Sequence, residues 1–234
     1  MVDTAVILAG GFGSRLNGLG YEVPRSLLSV KRKPVLVHLI KDLKKHGVNN
    51  IIISCNKNSN KIQKKLGDGN KLGVNISYSL EPVRLGTGGA LKNAAKEIEE
   101  PFLILYGDNL MNVNYKEMME MHFNNKTKVT MALTPREDVE NYGVAKLDND
   151  KVAFFVEKPS RLEAPSKLVN AGAFIIEPSI LSRLPKGKSS IENDLFVDMA
   201  CFGQISAYHH KGQWYPIDTI EKYQEAQKNF KPVK

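Results

Sequence analysis

Ala5-Val6-Ile7-Leu8-Ala9-Gly10-Gly11-Phe12-Gly13-Ser14-Arg15-Leu16 is the stretch on which the fold turns. Its first four residues form an unbroken apolar run that reads as a buried strand, and a glycine-rich loop follows at once. Three glycines in four positions remove the Cβ atoms that would hold a ligand off the backbone, so N–H groups can turn toward anionic oxygens. Arg15 adds a fixed cationic fork. The loop departs from both familiar phosphate patterns: a P-loop ends in Gly-Lys-Ser/Thr, and a dinucleotide fingerprint needs a third glycine where Leu16 stands. A plain strand-to-helix turn would look the same.

Working outward, short apolar runs alternate with helical patterns through the first half. Strands are predicted at 4–8, 50–54, 74–79 and 102–106, and helices at 34–46, 59–66 and 88–98. In 34–46, Val35, Leu36, Leu39, Ile40 and Leu43 share one face, with Gly47 as the stop. This is the βαβ rhythm of a parallel sheet. After residue 127 the pattern turns strand-rich: Lys128–Leu133, Tyr142–Leu147, Val152–Val156, Val169–Ile176 and Gln204–His209, then a closing helix with Thr219 as its N-cap. The second half therefore lays antiparallel or mixed strands against the same sheet. The expectation is an α/β fold, a three-layer α/β/α single domain with a mostly parallel mixed sheet, whose ligands sit beyond the carboxyl ends of the parallel strands.

Composition narrows the partners. The chain has 234 residues, 42% of them hydrophobic, enough for one large core. No apolar run approaches the ~20 residues needed to span a bilayer, and no basic start or cleavage site opens the chain. A soluble cytoplasmic protein with no membrane partner is expected. Cys55 and Cys201 form neither a disulfide framework nor a zinc pattern. The 33 Lys+Arg against 25 Asp+Glu give +8, which suits a polyanion. Lys31-Arg32-Lys33, Lys41/Lys44/Lys45 and Lys61/Lys64/Lys65 are scattered without aromatic residues to stack bases, so a small phosphorylated substrate fits better than nucleic acid. His209-His210 point to opposite faces of a strand and make no metal pair, and Met118, Met119 and Met121 near Tyr115 read as helix packing.

Two aspartates stand at strand ends. Asp108 follows Phe102-Leu103-Ile104-Leu105-Tyr106-Gly107, and Asp218 lies at the junction of Trp214-Tyr215-Pro216-Ile217 with the last helix. Each alone could cap a helix or turn. As a pair they suit Mg²⁺, which takes one or two carboxylates plus phosphate oxygens.

At this point the chain resembles the sugar-1-phosphate nucleotidyltransferases, from the N-terminal loop to about residue 228. The marks are Leu8 to Leu16, Pro24-Arg25, Leu85-Gly86-Thr87-Gly88-Gly89-Ala90, Gly107-Asp108, Tyr142-Gly143, Glu157-Lys158-Pro159, Asn170-Ala171-Gly172 and Asp218. The resemblance implies a Rossmann-like nucleotidyltransferase domain over 1–234, with a nucleotide-binding half at about 1–110 and a sugar-binding half at about 111–234. It leaves no room for the C-terminal β-helix of longer relatives. The implied reaction is NTP plus sugar 1-phosphate giving NDP-sugar plus pyrophosphate, with Mg²⁺ as cofactor. Self-association into a homo-oligomer is left open.

By the same resemblance, Arg15 grips the leaving pyrophosphate and the Gly10, Gly11, Gly13 and Ser14 amides hold the nucleotide, with Leu8, Glu81, Gly86 and Thr87 completing its site. Asp108 and Asp218 bind Mg²⁺. Lys158 neutralises the sugar phosphate, while Glu157, Asn170 and the Gly143 backbone meet sugar hydroxyls. One departure stands out: the family has Pro-Lys-Pro where this chain has Pro24-Arg25-Ser26, so the catalytic cation here is Arg25, planar and bidentate.

Glu81, in Ser79-Leu80-Glu81, is an acceptor that can engage the two adjacent donors of guanine. That favours GTP, and Ser79-Leu80-Glu81 leading to Leu85–Ala90 looks like the short guanylyltransferases acting on mannose or heptose 1-phosphate, as does Ser190-Ile191-Glu192-Asn193-Asp194. Tyr106-Gly107-Asp108 and Trp214 to Thr219 look instead like glucose-1-phosphate cytidylyltransferases. CTP-, dTTP- or UTP-dependent enzymes, a relative acting on a non-sugar phosphate, and a catalytically weak nucleotide-sugar-binding regulator are the alternatives.

Overall fold

The computed structural model describes residues 2–11, 24–56 and 59–233. In chain order the strands and helices are β1 (Thr4–Leu8), β2 (Ser29–Val30), β3 (Lys33–Pro34), α1 (Val35–Lys45), β4 (Asn50–Cys55), α2 (Ser59–Leu66), β5 (Asn75–Leu80), α3 (Gly86–Ala94), β6 (Phe102–Tyr106) and β7 (Asn109–Met111). There follow α4 (Tyr115–Asn125), β8 (Val129–Pro135), β9 (Gly143–Asp148), β10 (Lys151–Glu157), β11 (Leu168–Ile176), α5 (Val197–Cys201), β12 (Ile205–His209), β13 (Trp214–Pro216) and α6 (Ile220–Asn229). No described helix is long and apolar enough to cross a membrane.

The contacts divide the chain into two compact units. Unit I takes Asp3–Arg84, Leu105–Tyr115 and Gly212–Lys234; unit II takes Met1–Val2, Leu85–Ile104 and Lys116–Lys211. The path of the chain is interleaved between the two. β6 itself is divided, Phe102–Ile104 in unit II and Leu105–Tyr106 in unit I.

In unit I, β1, β4 and β5 run parallel in the order β5-β4-β1, with Leu8 opposite Ser54 and Cys55 opposite Leu80. Their apolar runs bury Ala5, Val6, Ile7, Ile51 and Ile53, as strands covered on both faces require. The α1 face expected from spacing is the buried one, with Val35, Leu36, Leu39, Ile40 and Leu43 fully enclosed. Pro34 sits one position earlier than expected, as N-cap, where its missing N–H costs nothing. A short ribbon joins β7 to β13, antiparallel, through Trp214↔Met111, Tyr215↔Leu110 and Pro216↔Asn109. Thr219 caps α6 by accepting from Lys222 N at 3.3 Å. Further along α6, Tyr223 Oη and Gln227 Nε2 both donate to the Ser29 carbonyl, at 2.9 and 2.6 Å.

In unit II, β11-β8-β12-β10-β9 are hydrogen-bonded in that order, and β9 also pairs with β11, so these strands close on themselves. Only β8 and β12 are parallel; the other pairings are antiparallel. The fold is thus mixed α/β as expected, while the predominance of parallel pairing holds for unit I and not for unit II. β11 is the inner strand, buried from Val169 to Ile176. Phe174 and Phe155 each pack a ring against Phe196, at centroid distances of 4.9 and 5.9 Å.

The strands predicted from periodicity appear within a residue or two, and α3 differs most. It starts at Gly86 and unwinds after Ala94 into a turn closed by Ile98 N to Ala95 O at 3.2 Å. Glu97, Glu99 and Glu100 lie where a C-terminal helix turn disfavours negative charge.

Asp42 is the polar exception on the buried face of α1. Its carboxylate is 2% exposed and accepts from Val113 N at 3.1 Å. Burial pushes its pKa up to about 6, against the opposing pull of the Val113 amide, His46 and Lys45. With the folded value above the unfolded one, the folded state holds the proton more tightly, and Asp42 costs stability as pH rises from about 4 through 6. Asp42→Asn keeps an acceptor for Val113 and sheds the charge. Urea unfolding should show it about 3 kcal/mol more stable than the parent at pH 7, with the difference closing near pH 4; an equal difference at both pH values would contradict a buried carboxylate.

Candidate active site

In unit I the carboxyl ends of the parallel strands collect the polar groups. Leu8 ends β1, and its carbonyl accepts from Gly107 N at 2.9 Å, which ties the end of β6 to the start of the glycine loop. Ala9 N donates to Ser54 O at 2.8 Å. Gly10 O accepts from Asn56 Nδ2. A Cβ on Gly10 would come within 2.7 Å of Glu81 Oε1, so Glu81 lies directly over the glycine backbone, with Ser54 Oγ donating to that same oxygen at 3.3 Å. Gly11 faces the guanidinium of Arg25, 3.0 Å from where its Cβ would stand. Gly13, Ser14 and Arg15 lie outside the described residues.

The ribbon brings the two strand-end aspartates together. β7 begins just after Asp108, β13 ends two residues before Asp218, and Ile217 N donates to Asp108 O at 2.8 Å. Arg25 Nη2 stands 3.1 Å from Asp108 Oδ2. Burial raises the pKa of Asp108, Arg25 pulls it back down, and the neighbouring Asp218 charge pushes it further up. Asp218 meets Lys222 Nζ, 3.2 Å from Oδ1 and 3.3 Å from Oδ2. Among the described residues, Arg25 Nε and Asp218 Oδ1 are buried without a hydrogen-bond partner. A buried guanidinium donor left open beside the two carboxylates marks a site built for something more than its own residues.

Two neighbouring carboxylates fit Mg²⁺, which keeps waters and phosphate oxygens in its remaining positions. No group of three or more His, Cys, Asp or Glu suited to a metal occurs among the described residues, so an all-protein cage is not what these side chains offer. His209 is exposed and His210 buried, on opposite faces as expected.

Unit II carries a second cluster. Gly143 lies opposite Glu157 in the β9–β10 register, and a Cβ there would meet Phe155 Cζ at 2.3 Å and Glu157 Oε2 at 2.8 Å. Glu157 Oε1 pairs with Lys158 Nζ at 3.1 Å. Burial raises the Glu157 pKa, Glu192 adds to the rise, and Lys158 opposes it. Lys158 itself has φ 48, a left-handed backbone that few residues with a side chain adopt, fixed by Lys158 N donating to Tyr142 O at 3.0 Å. β11 pairs with β9 through Val169↔Val144, immediately before Asn170. There the chain bulges, and Gly172 N donates to Asn170 Oδ1 at 2.7 Å.

Gly86 and Thr87 open α3 in this same unit. Thr87 Oγ1 accepts from Ile191 N at 3.0 Å and donates to Glu192 Oε2 at 2.6 Å, where Ser190 Oγ also donates at 2.6 Å. The structure therefore groups Gly10, Gly11, Glu81, Arg25, Asp108 and Asp218 in one unit, and Gly86, Thr87, Gly143, Glu157, Lys158 and Asn170 in the other. Sequence reasoning assigned no role to Lys222 or Glu192. Lys222 carried a usable signal, a cation four residues after a site aspartate and one helical turn away. Glu192 stood in a segment noted only for its resemblance.

Residues 4–231 match the family model described as nucleotidyl transferase. The chain is 34% identical over 219 residues to the mannose-1-phosphate guanylyltransferase catalytic subunit beta of Xenopus tropicalis, covering 91% of this chain and 60% of that one. It therefore spans about three fifths of the length of the curated relatives it matches. A Bacillus anthracis protein assigned as a glucose-1-phosphate thymidylyltransferase, solved with a sucrose, superposes with TM-score 0.87 at 25% identity, over 96% of this chain and 93% of its own. HddC from Yersinia pseudotuberculosis superposes with TM-score 0.83 at 30% identity, over 98% and 100%, and has also been solved with GMP-PN.

The contact at Gly143 can be checked directly. Gly143→Ala should lower unfolding stability by about 1–3 kcal/mol, because its Cβ overlaps the Phe155 ring. Adding Phe155→Leu should recover part of that loss in chemical denaturation; a Gly143→Ala protein as stable as the parent would mean the ring is not held there.

Proposed function

Since the chain belongs to the nucleotidyl transferase family, we propose that it joins a nucleoside triphosphate to a sugar 1-phosphate. The products are a nucleotide sugar and pyrophosphate, and GTP with mannose or heptose 1-phosphate is the favoured pair. The observation that carries this reading is the meeting of Asp108, Asp218 and Arg25 beside the Gly10-Gly11 backbone.

A phosphate oxygen of the sugar 1-phosphate forms a bond to the α-phosphorus while the bond from that phosphorus to the β-phosphate oxygen breaks, and the electron pair leaves with pyrophosphate. The nucleophile is already ionised near pH 7, so the protein's task is to position two polyanions and neutralise them. Gly10 and Gly11 let the triphosphate lie against the backbone, and Arg25, with its open Nε, meets a phosphate. By the family resemblance, Arg15 would grip the leaving pyrophosphate. Asp108 and Asp218 would hold Mg²⁺, which supplies charge stabilisation at the α-phosphate. In unit II, Lys158 receives the sugar phosphate, and Glu157, Asn170 and the Gly143 backbone receive hydroxyls. Unit I thus carries the metal-binding and phosphate-facing residues, while Gly86 and Thr87, also assigned to the nucleotide, stand in unit II with the sugar residues.

Glu81, held over Gly10, is the base-reading acceptor, which suits the paired donors of guanine. The relatives named as mannose-1-phosphate guanylyltransferases and the HddC complex with GMP-PN support that choice. Both cysteines are free, which suits work in the cytoplasm.

Pyrophosphate release across four NTPs and several sugar 1-phosphates tests the reading. Turnover should appear with one pair, fall about a hundredfold or more in Asp108→Asn and in Asp218→Asn, and require a divalent cation. Arg25→Lys should change turnover or a Michaelis constant, since a fork and a point charge hold phosphate differently. Silence across the panel, with nucleotide-sugar binding intact, would favour a regulatory binder instead.

A further inference from the structure

Lys222 breaks a local rule. With Thr219 as N-cap it occupies the third position of α6, where a capping box places Glu or Gln and where the positive end of the helix disfavours a cation. Glu221 stands one residue earlier, and its carboxyl is held below the usual range by backbone and Thr219 hydrogen bonds, so the acidic partner of this cap lies at the wrong position for a box. The lysine is nonetheless well enclosed, with its side chain 15% exposed and its ammonium within 3.3 Å of both oxygens of Asp218. Residues that break a local propensity while making a close charged contact at a site are where function overrides folding preference.

We propose that Lys222 is a built-in counter-ion of the carboxylate pair, a positioning residue that restrains Asp218 and keeps the pair from taking a divalent cation tightly by itself. The inference rests on the reading that Asp108 and Asp218 hold Mg²⁺. Among the described residues, Arg25 faces Asp108 and Lys222 faces Asp218, so the two aspartate charges are already matched by two cations. A divalent ion entering this cluster alone meets the Lys222 ammonium at close range. One that arrives with phosphate oxygens brings its own compensating charge. Lys222 thereby ties metal occupancy to the presence of substrate and holds the Asp218 carboxylate in one orientation until then.

Mn²⁺ binding to the protein alone, read from the electron paramagnetic resonance signal of the free ion, tests this without any turnover. Lys222→Met and Lys222→Gln should each bind Mn²⁺ about tenfold more tightly than the parent, since a unit charge has been removed from beside the ion. The gain should vanish in Lys222→Met/Asp218→Asn. Parental or weaker Mn²⁺ binding in both single variants overturns the proposal, and a lowered melting temperature with unchanged Mn²⁺ affinity would assign Lys222 to packing alone. A gain that persists in the double variant would show the ion bound away from Asp218. In that case the carboxylate-pair reading itself fails.

Discussion

The hydrogen bond from Ile217 N to Asp108 O, together with the short β7–β13 ribbon that flanks it, is the constraint on which the unit I site depends. Two carboxylates from distant parts of the chain would repel each other in water, and burial makes that worse. The ribbon fixes their backbones, so the repulsion is answered by side chains: Arg25 on one aspartate, Lys222 on the other. Asp108 cannot be understood by itself, because the Asp218 charge is part of the field in which it sits.

Unit II treats its own acids differently. Glu192 adds to the rise in the Glu157 pKa, and the Lys158 ammonium opposes it. Glu192 is held by two hydroxyls, from Thr87 and Ser190, which donate hydrogen bonds without adding charge. A carboxylate fixed by neutral donors keeps its negative potential, which suits hydroxyl recognition. One matched by a cation has its field cancelled until a ligand rearranges the partners. The same residue type thus serves two purposes through its neighbours.

Much of this was legible in the chain itself. β1, β4, β6 and α1 are set by apolar periodicity, a short-range property, and they appear where the spacing puts them. Asp108 and Asp218 could be picked out because each follows a strand. Their pairing at Mg²⁺ was expected from the family resemblance and not from local pattern, since β7 and β13 are three residues each and join segments that share none. The ring closure of β9 onto β11 escaped for the same reason: strand propensity says nothing about which strand is the neighbour. Lys222 was hidden by the opposite fault. Its charge was visible, but a lysine on a helix is ordinarily a solvated one, and only its close contact with both Asp218 oxygens makes it part of the site.

The interleaved path of the chain has a consequence for biosynthesis. Unit I needs Gly212–Lys234 to finish its ribbon and to supply Asp218, yet that segment leaves the ribosome only after all of Lys116–Lys211. Synthesis is vectorial, so the early strands β1, β4 and β5 must wait, partly assembled, while the intervening unit is made. Until then the Asp108 and Arg25 side chains stand without their second acid. The part of the unit I site that includes Asp218 is therefore completed only after unit II has emerged.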